Sequence, residues 1–264
     1  MARAYLEGEF VILEGVVYFT YEPRIGASLL EMFPDQDAPT YAALDFGGRR
    51  PYFCIIQDRI VDGKEVEVIV EEVVGADTLE ESHAYDCARM CADYGIIIND
   101  VFCDPAGKSR NAQTGISSIQ CYERVLRSSG VLAGGMRYTT APSDRHIPAG
   151  IEATRALFEN HKGDRKLFVA KHLTEPKRTG QYPDGVVGIH GALMGYSYPK
   201  NKPGDPYPAK DNRTDHAVDA LRYFVINRHG VMDAASVMDL NAGPTNTIMA
   251  NHAWADPRDH PDNW

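Results

Sequence analysis

The chain has 264 residues, of which 44% are hydrophobic and 24% are charged, a balance that excludes a disordered or fibrous protein. Its length suffices for one or two domains with a stable core. The formal net charge of −10 argues against a nucleic-acid partner, but Lys and Arg outnumber Asp and Glu between positions 105 and 213. Such asymmetry is typical of a chain with one side that faces a polyanion, and it also arises by chance on solvated surfaces.

Neither secretion nor a membrane location is expected. The N-terminus lacks the long apolar stretch of a signal peptide, and no apolar run approaches the roughly 20 residues of a membrane span. The five cysteines are an odd number, and none stands in a CxxC pair. They indicate free thiols in a reducing cytoplasm.

The first predicted element is a hairpin-like extension over residues 1–38, where short apolar runs alternate with Gly and Pro. It is expected to be an N-terminal extension or linker without a core of its own. A three-stranded antiparallel meander then spans 41–74, and its last two strands are joined by a turn at Asp62-Gly63. The predicted strands are 41–44, 51–57 and 66–74.

Helices and strands alternate after the meander. A helix over 78–94 is predicted to begin at a Thr78 cap, since Glu81 follows three residues later, and to end at Gly95. The later predicted helices are 117–129, 151–161 and 214–227, and the later strands are 96–98, 101–104 and 166–170. A long loop or irregular hairpin is expected over 180–211 and a flexible tail over 231–264. This order predicts one α/β domain over 39–230, with a central mixed β-sheet flanked by helices.

Carboxylates follow two of the predicted strands. Asp45 ends the first strand of the meander, and Asp104 ends a later strand, directly before Pro105-Ala-Gly107. A single aspartate after a strand is usually a turn former. Two of them at neighbouring strand ends are the arrangement from which a shared site can be built.

Three further polar residues open the last predicted helix. Asp215 and Asp219 are four residues apart, and His216 and Asp219 are three apart, so all three can project from one side of the first turn. Asp215 at a helix start is also typical of a residue that complements the helix dipole. The spacing does not distinguish Asp215 from Asp219 as the functional member.

Carboxylates that converge from two strand ends and a helix repel one another and need a cation. Hard divalent ions such as Mg²⁺ or Mn²⁺ prefer such oxygen ligands, and the sequence favours neither. Two ions about 4 Å apart would activate a water and stabilise the leaving oxygen in phosphodiester hydrolysis. The pattern therefore indicates a metal-dependent phosphodiester hydrolase.

Four motifs carry a family resemblance, supported by Gly8-Glu-Phe10 and Glu14-Gly-Val-Val-Tyr18 near the start. The motifs are Tyr41-Ala-Ala-Leu-Asp-Phe-Gly-Gly48, Val101-Phe-Cys-Asp-Pro-Ala-Gly107, Gly150-Ile-Glu-Ala-Thr-Arg155 and Asp215-His-Ala-Val-Asp-Ala-Leu-Arg-Tyr223. With these, the chain resembles the nuclease domain of the large terminase subunit of tailed bacteriophages, the DNA-packaging motor, over residues 5–225. The last motif is the most specific.

The resemblance implies a ribonuclease H-like fold and metal-dependent cleavage of double-stranded viral DNA with little sequence preference. It implies that Asp45, Asp104 and either Asp219 or Asp215 are metal ligands and catalytic residues. His216 is implied as a catalytic residue, either as a ligand or as a proton carrier.

The resemblance also implies partners: a terminase ATPase domain, a small terminase subunit and a portal, in the cytoplasm of the host cell. This chain has no Walker A signature of its own. Gly107-Lys-Ser109 ends like one, but the glycine required five positions earlier is Phe102. We therefore expect a nuclease that neither hydrolyses ATP nor translocates DNA, either a domain or a separately encoded subunit.

Basic residues in the middle of the chain are candidates for DNA contact. Lys108 and Arg110 follow Asp104 closely and are expected to touch a scissile-strand phosphate. The residues expected to follow the backbone further out are Arg137, Arg145, Lys171, Lys177 and Arg178, although each also fits an ordinary solvated surface. Tyrosines that would either flank the duplex or pack in the core are Tyr182, Tyr196, Tyr198 and Tyr207.

Three other functions fit parts of the pattern. An actin- or sugar-kinase-like phosphotransferase also carries Asp-x-Gly-Gly, but it requires Thr or Ser where Arg49 and Arg50 stand, and a second such domain. A Holliday-junction resolvase-like nuclease would share the fold and prefer four-way junctions. A non-catalytic docking module is disfavoured by the presence of Asp45, Asp104 and Asp219.

Overall fold

The computed structural model describes residues 15–111, 115–138, 143–175, 186–200 and 205–230, with the backbone alone for 143–146. Seven strands in this part of the chain form one sheet, in the order β1-β7-β4-β3-β2-β5-β6. They are β1 (Leu29–Leu30), β2 (Thr40–Asp45), β3 (Tyr52–Val61), β4 (Lys64–Val74), β5 (Asp100–Cys103), β6 (Met136–Arg137) and β7 (Leu167–Ala170).

The sheet is mixed. β3 runs antiparallel to both β2 and β4, which confirms the predicted meander and its turn at Asp62-Gly63. The other pairs, β2 with β5, β5 with β6, β4 with β7 and β1 with β7, are parallel. Six strands therefore run in one direction, and their carboxyl ends share one edge of the sheet.

Five α-helices cover the described sheet: α1 (Glu80–Asp93), α2 (Ser118–Ser128), α3 (Ser143–Phe158), α4 (Ile189–Gly195) and α5 (Asp215–His229). Alternate residues of each strand face opposite sides: Ala43 packs in the core that contains α3, α4 and α5, whereas Ala42 and Leu44 pack in the core that contains α1 and α2. The predicted α/β class, a mixed sheet flanked by helices, is confirmed. No described helix has the length and apolar character needed to cross a bilayer.

Three of the predicted elements were wrong in detail. α1 begins at Glu80 without a side-chain cap, because the Thr78 hydroxyl bonds to the backbone of Ala76 instead. α3 starts at Ser143, well before the predicted position, and runs through Pro148. The predicted strand 96–98 reduces to one bridge between Ile98 and Leu132.

Two segments were predicted to lie outside the regular structure. Residues 180–211 were expected to be a loop, but they contain α4, whose seven residues are too few for a clear helical period. In the described part of the predicted N-terminal hairpin, Val17 and Tyr18 are buried in the core, and β1 pairs with β7. Residues 1–14 and 231–264 lie outside the described residues, so the division into 1–38, 39–230 and 231–264 stays a prediction.

A buried histidine makes the stability of this fold depend on pH. His83 places Nδ1 2.9 Å from the Tyr122 hydroxyl and Nε2 3.1 Å from the Val73 carbonyl oxygen. Burial lowers the pKa of His83 to about 4, whereas an unfolded histidine titrates near 6.5. Between those pH values the unfolded chain binds the extra proton. The free energy of unfolding should therefore fall by about 3 kcal/mol as the pH falls from about 6.5 to about 4.

The measurement is denaturant unfolding of the wild-type chain and His83→Gln across this range of pH. Glutamine can still donate to Val73 but does not titrate, so the variant should lose stability less steeply on acidification. Carboxylates titrate in both proteins, and the comparison removes their contribution. Equal slopes would contradict the prediction.

Candidate active site

The two strand-end carboxylates lie at the same edge of the sheet. β2 and β5 are parallel neighbours with Leu44 opposite Cys103, so the next residues, Asp45 and Asp104, leave the sheet side by side. Asp45 is buried. The structure thus brings these two sequence-predicted residues together.

The residues that follow each aspartate lock the two strand ends to one another. The ring of Phe46 lies against Gly107, where a Cβ atom would overlap the ring. Gly47 has a φ of +49°, and a Cβ atom there would overlap the Arg50 carbonyl oxygen. Gly47 and Gly107 are therefore required by close approach.

Asp104 is held by hydrogen bonds on both oxygens. Oδ1 accepts from the backbone N–H of Ala106 at 2.8 Å, and Oδ2 accepts from the Tyr223 hydroxyl at 2.9 Å. Burial raises the pKa of Tyr223 far above its usual range, so its hydroxyl stays a donor. The orientation of the carboxylate is thus set by α5 as well as by its own turn.

His216 connects α5 to the end of β2. Its Nδ1 lies 3.3 Å from Asp45 Oδ1, and its Nε2 lies 3.0 Å from Asn212 Oδ1. Burial lowers the pKa of His216, but the hydrogen bond to Asp45 and the nearby carboxylates outweigh it and raise the pKa above its usual value. Burial raises the pKa of Asp45, and the charges of Asp219 and Asp104 add to that rise.

The two aspartates of α5 have different surroundings. Asp219 Oδ1 accepts from the buried Arg222 guanidinium at 3.0 Å, and Oδ2 lies 3.3 Å from Lys210 Nζ. Lys210 has a raised pKa, chiefly because of Asp219 and then of Asp215 and Asp45. Asp215 is 5% exposed, and its Oδ1 has no hydrogen-bond partner. Burial raises the pKa of Asp215.

The carboxylates of β2, β5 and α5 suit a hard divalent cation, because such ions prefer oxygen ligands and the negative charges of these groups repel one another. In the described ranges, however, no three His, Cys, Asp or Glu side chains are grouped so that they could hold one ion. Both oxygens of Asp219 are engaged by the cations of Arg222 and Lys210 instead. An ion at Asp219 would therefore replace Lys210.

Of the predicted DNA contacts, two lie next to this edge. Lys108 and Arg110 are exposed after Asp104, and the Lys108 ammonium stands 4.2 Å from the centre of the Tyr138 ring. Arg137 pairs with Asp100 at 2.9 Å, and Lys171 pairs with Glu31 at 2.6 Å. The side chain of Arg145 and residues Lys177 and Arg178 lie outside the described residues.

The predicted tyrosines fall into different environments. Tyr196 is buried and stacks on Tyr18, which is a packing role. Tyr198 accepts a hydrogen bond from Arg155, and Tyr207 is exposed. Tyr182 lies outside the described residues.

Sequence reasoning missed four residues at the carboxylate edge, the group formed by Asp45, Asp104 and Asp219: Lys210, Arg222 and Tyr223 bond to these carboxylates, and Asn212 bonds to His216. Arg222 and Tyr223 lie within the last motif, and their positions three and four residues after Asp219 on one helix were a usable signal. Lys210 and Asn212 lie in an irregular loop. No periodic pattern could have placed them beside Asp219 and His216.

The fold is similar to that of known nuclease domains. The nuclease domain of the P22 large terminase is 13% identical with a TM-score of 0.51, and the match covers 83% of this chain and 95% of that domain. The large terminase of a thermophilic bacteriophage is 18% identical with a TM-score of 0.51, and the match covers 84% of this chain. This chain spans about half of that thermophilic phage protein, 47% of its length.

A further match, with a TM-score of 0.45 and 15% identity, is the SPP1 large terminase nuclease domain with bound Mn, over 76% of this chain and 97% of that one. The sequence matches no protein-family model and no curated protein. At these identities the matches establish a fold and nothing about the chemistry of the edge.

Proposed function

We propose that this chain, which has the fold of a large-terminase nuclease domain, is a metal-dependent endonuclease that cleaves double-stranded DNA with little sequence preference. The observation that carries the proposal is the meeting of Asp45 and Asp104 at adjacent ends of parallel strands, with α5 packed on the same edge. When bound there, two Mg²⁺ or Mn²⁺ ions would activate a water and stabilise the leaving oxygen of a phosphodiester.

Asp45, Asp104 and Asp219 are the proposed metal ligands. Asp219 is favoured over Asp215 as the third ligand because its negative charge acts on Asp45, together with that of Asp104. Tyr223 would hold Asp104 in place, and Arg222 would hold Asp219. Asp215 is proposed to make the electrostatic potential around His216 and Lys210 more negative. Its charge helps to raise the pKa values of both residues.

The proposed substrate contacts are the exposed cations beside the edge. Lys108 and Arg110 follow Asp104, and Lys210 would be free to contact a phosphate once an ion occupies Asp219. Because phosphate contacts position a duplex without reading its bases, they agree with cleavage of low sequence preference.

Replacing Lys108 and Arg110 with alanine together should weaken DNA binding and flatten its dependence on salt. Each lost phosphate contact lowers the slope of log K against log[salt] by about 0.9, so the double variant should lose roughly 2 from the slope. The measurement is fluorescence anisotropy with a labelled duplex and Ca²⁺ over a salt series. Arg89→Ala is the control, since Arg89 pairs with Asp86 on α1, and it should leave the slope unchanged. A double variant with the wild-type slope would contradict the assignment.

The direct test of the proposed function is cleavage of supercoiled plasmid with about 10 mM Mg²⁺ or Mn²⁺, with EDTA and Asp104→Asn as controls. Conversion to linear and fragmented DNA that both controls abolish would support the proposal. A strong preference for a four-way junction over linear duplex would favour a resolvase-like nuclease, and ATP binding would favour a phosphotransferase. No cleavage with either metal would contradict an autonomous nuclease.

We also propose that the nuclease works beside an ATPase domain, a small terminase subunit and a portal in the host cytoplasm. The support is that the large terminase of the thermophilic bacteriophage, of which the match covers 48%, has been solved in complex with ADP. Co-purification of this chain with those components from infected cells would test the proposal.

A further inference from the structure

Arg155 ends a sequence motif, Gly150–Arg155 on α3, that the proposed chemistry does not use. Its side chain is only 11% exposed and pairs through Nη1 with Glu152, one turn earlier on the helix. Nε donates to the backbone carbonyl oxygen of Val17 at 2.6 Å, and Nη2 donates to the Tyr198 hydroxyl at 3.2 Å. Arg155 therefore binds two segments that are far from it, and from each other, in sequence.

The two segments pair with each other in a short ribbon, which consists of residues 15–17 and 196–198. They run antiparallel. The N–H of Val17 donates across the ribbon at 2.8 Å, and the N–H of Tyr198 donates back at 2.9 Å. Because a pair of strands this short is marginally stable by itself in water, the contacts of Arg155 with both strands are expected to stabilise it.

The ribbon leads to the carboxylate edge. The N–H of Ala209 donates to the Ser197 carbonyl oxygen at 2.9 Å. The next residue is Lys210, whose Nζ lies 3.3 Å from Asp219 Oδ2. A lysine side chain loses rotamer entropy when it is held in one place, so a loose backbone at Ala209 would weaken this contact. The ribbon thus fixes the backbone from which Lys210 reaches Asp219.

The contacts of Arg155 depend on the shape of its side chain as well as on its charge. A guanidinium presents its N–H donors in a rigid planar fork, whereas a lysine ammonium is a compact point charge. Here the fork reaches one residue on each strand of the ribbon. The centre of the Phe19 ring lies 4.5 Å from Cζ and covers one face of the group. A lysine at this position would keep the charge but could not hold both strands in the same way.

We propose that Arg155 is a positioning residue that clamps the two strands of the ribbon and thereby holds Lys210 at Asp219. Lys210 is then ready to contact a DNA phosphate once a metal ion has replaced it at Asp219. That role of Lys210 rests on the proposed function, whereas the clamp is a property of the metal-free chain. Arg155 itself is not a DNA contact and acts on DNA binding through Lys210.

The first experiment is amide hydrogen exchange without metal or DNA, on wild type, Arg155→Lys and Arg155→Met. The N–H groups of Val17, Tyr198 and Ala209 report the ribbon. Both variants should exchange about 10- to 100-fold faster at these positions, as expected for loss of a hydrogen bond from a charged group. The amides of β3, in the middle of the sheet, report global unfolding and should change by a smaller factor. Wild-type exchange at the ribbon in either variant would overturn the proposal.

Arg165→Met is the matched control for a buried arginine. Arg165 is 15% exposed and donates to the Thr20 carbonyl oxygen and the Ser28 hydroxyl, which lie outside the ribbon. Its replacement should destabilise the fold without a selective increase of exchange at the ribbon. If Arg165→Met opened the ribbon as selectively as Arg155→Met, the clamp assigned to Arg155 would be wrong.

The second experiment tests whether Arg155 acts through Lys210. Binding of a labelled duplex in Ca²⁺ is measured over a salt series for wild type, Arg155→Met, Lys210→Met and the double variant. Loss of one phosphate contact lowers the slope of log K against log[salt] by about 0.9. We expect this loss in Lys210→Met and equally in the double variant, with a loss of the same size or smaller in Arg155→Met. Additive losses, or a wild-type slope in Arg155→Met beside a reduced slope in Lys210→Met, would overturn the proposal.

The two proposals fail separately. If Lys210→Met kept the wild-type slope, the phosphate contact assigned to Lys210 under the proposed function would be wrong. The exchange rates would still decide whether Arg155 holds the ribbon and the backbone at Ala209. Neither experiment measures cleavage, so a chain that cut no DNA would refute the nuclease and leave the exchange result in force.

Discussion

Asp45→Asn is expected to lower metal-dependent DNA cleavage at least about 100-fold while leaving the protein as stable as wild type or more stable. The amide keeps the shape of the side chain but loses the charge proposed to hold the metal. In the folded chain, burial together with the charges of Asp219 and Asp104 raises the pKa of Asp45. A carboxyl with a raised pKa costs stability at neutral pH, and this cost disappears as the pH falls through that pKa.

Plasmid cleavage and thermal unfolding in EDTA, measured on the same preparations, check both halves of this expectation. The matched control is Asp100→Asn, at the other end of β5, where the carboxylate pairs with Arg137. It should keep the cleavage rate near that of wild type. Retained cleavage in Asp45→Asn would remove Asp45 from the proposed site.

Gly107→Ala should damage both the fold and the site. The new Cβ atom would overlap the Phe46 ring, and overpacking of this kind costs about 1–3 kcal/mol. Phe46 follows Asp45 directly, and Gly107 follows Asp104 by three residues. Displacement of the Phe46 ring by the new methyl group would therefore separate the two carboxylates. Misplacement by about 1 Å can slow a reaction about 100-fold, so we expect cleavage to fall by about 10- to 100-fold.

Gly135→Ala is the control for this substitution, since the nearest atom to its Cβ would be Arg127 Nη2 at 3.8 Å. Combining Gly107→Ala with Phe46→Leu should restore part of the stability and part of the activity, because the smaller side chain leaves room for the methyl group. Urea unfolding and plasmid cleavage of wild type, Gly107→Ala, Phe46→Leu and the double variant would show the coupling. Strictly additive losses would argue against contact between the two strand ends through Phe46.

The sequence was sufficient to predict which strand ends and which helix carry the residues of the proposed site. Strand-end aspartates could be recognised because alternating apolar runs mark where β2 and β5 end, and parallel strands deliver their ends to one edge. The helical spacing of Asp215, His216 and Asp219 was equally readable. The choice between Asp215 and Asp219 was not, since it depends on how α5 is rotated against the sheet.

The parts that the sequence did not reveal depend on contacts between distant segments. Thr78 fits the capping pattern, but its hydroxyl donates to the backbone oxygen of Ala76 instead. Helix propensity does not distinguish these two hydrogen bonds. α4 is held by its burial against other elements more than by its seven-residue sequence. Asn212 has a left-handed backbone conformation, with a φ of +56°, which follows from the closure of the 211–214 turn and has no periodic signature in the sequence.

The contacts that complete the carboxylate edge join parts of the chain that are far apart in sequence. His216 is 171 residues from Asp45, and Tyr223 is 119 residues from Asp104. Closing contacts of such separation costs loop entropy, and this slows folding. A partly synthesised or partly folded chain therefore lacks the complete set of contacts around Asp45 and Asp104. Any DNA cleavage by this chain would begin only after α5 has docked on β2 and β5.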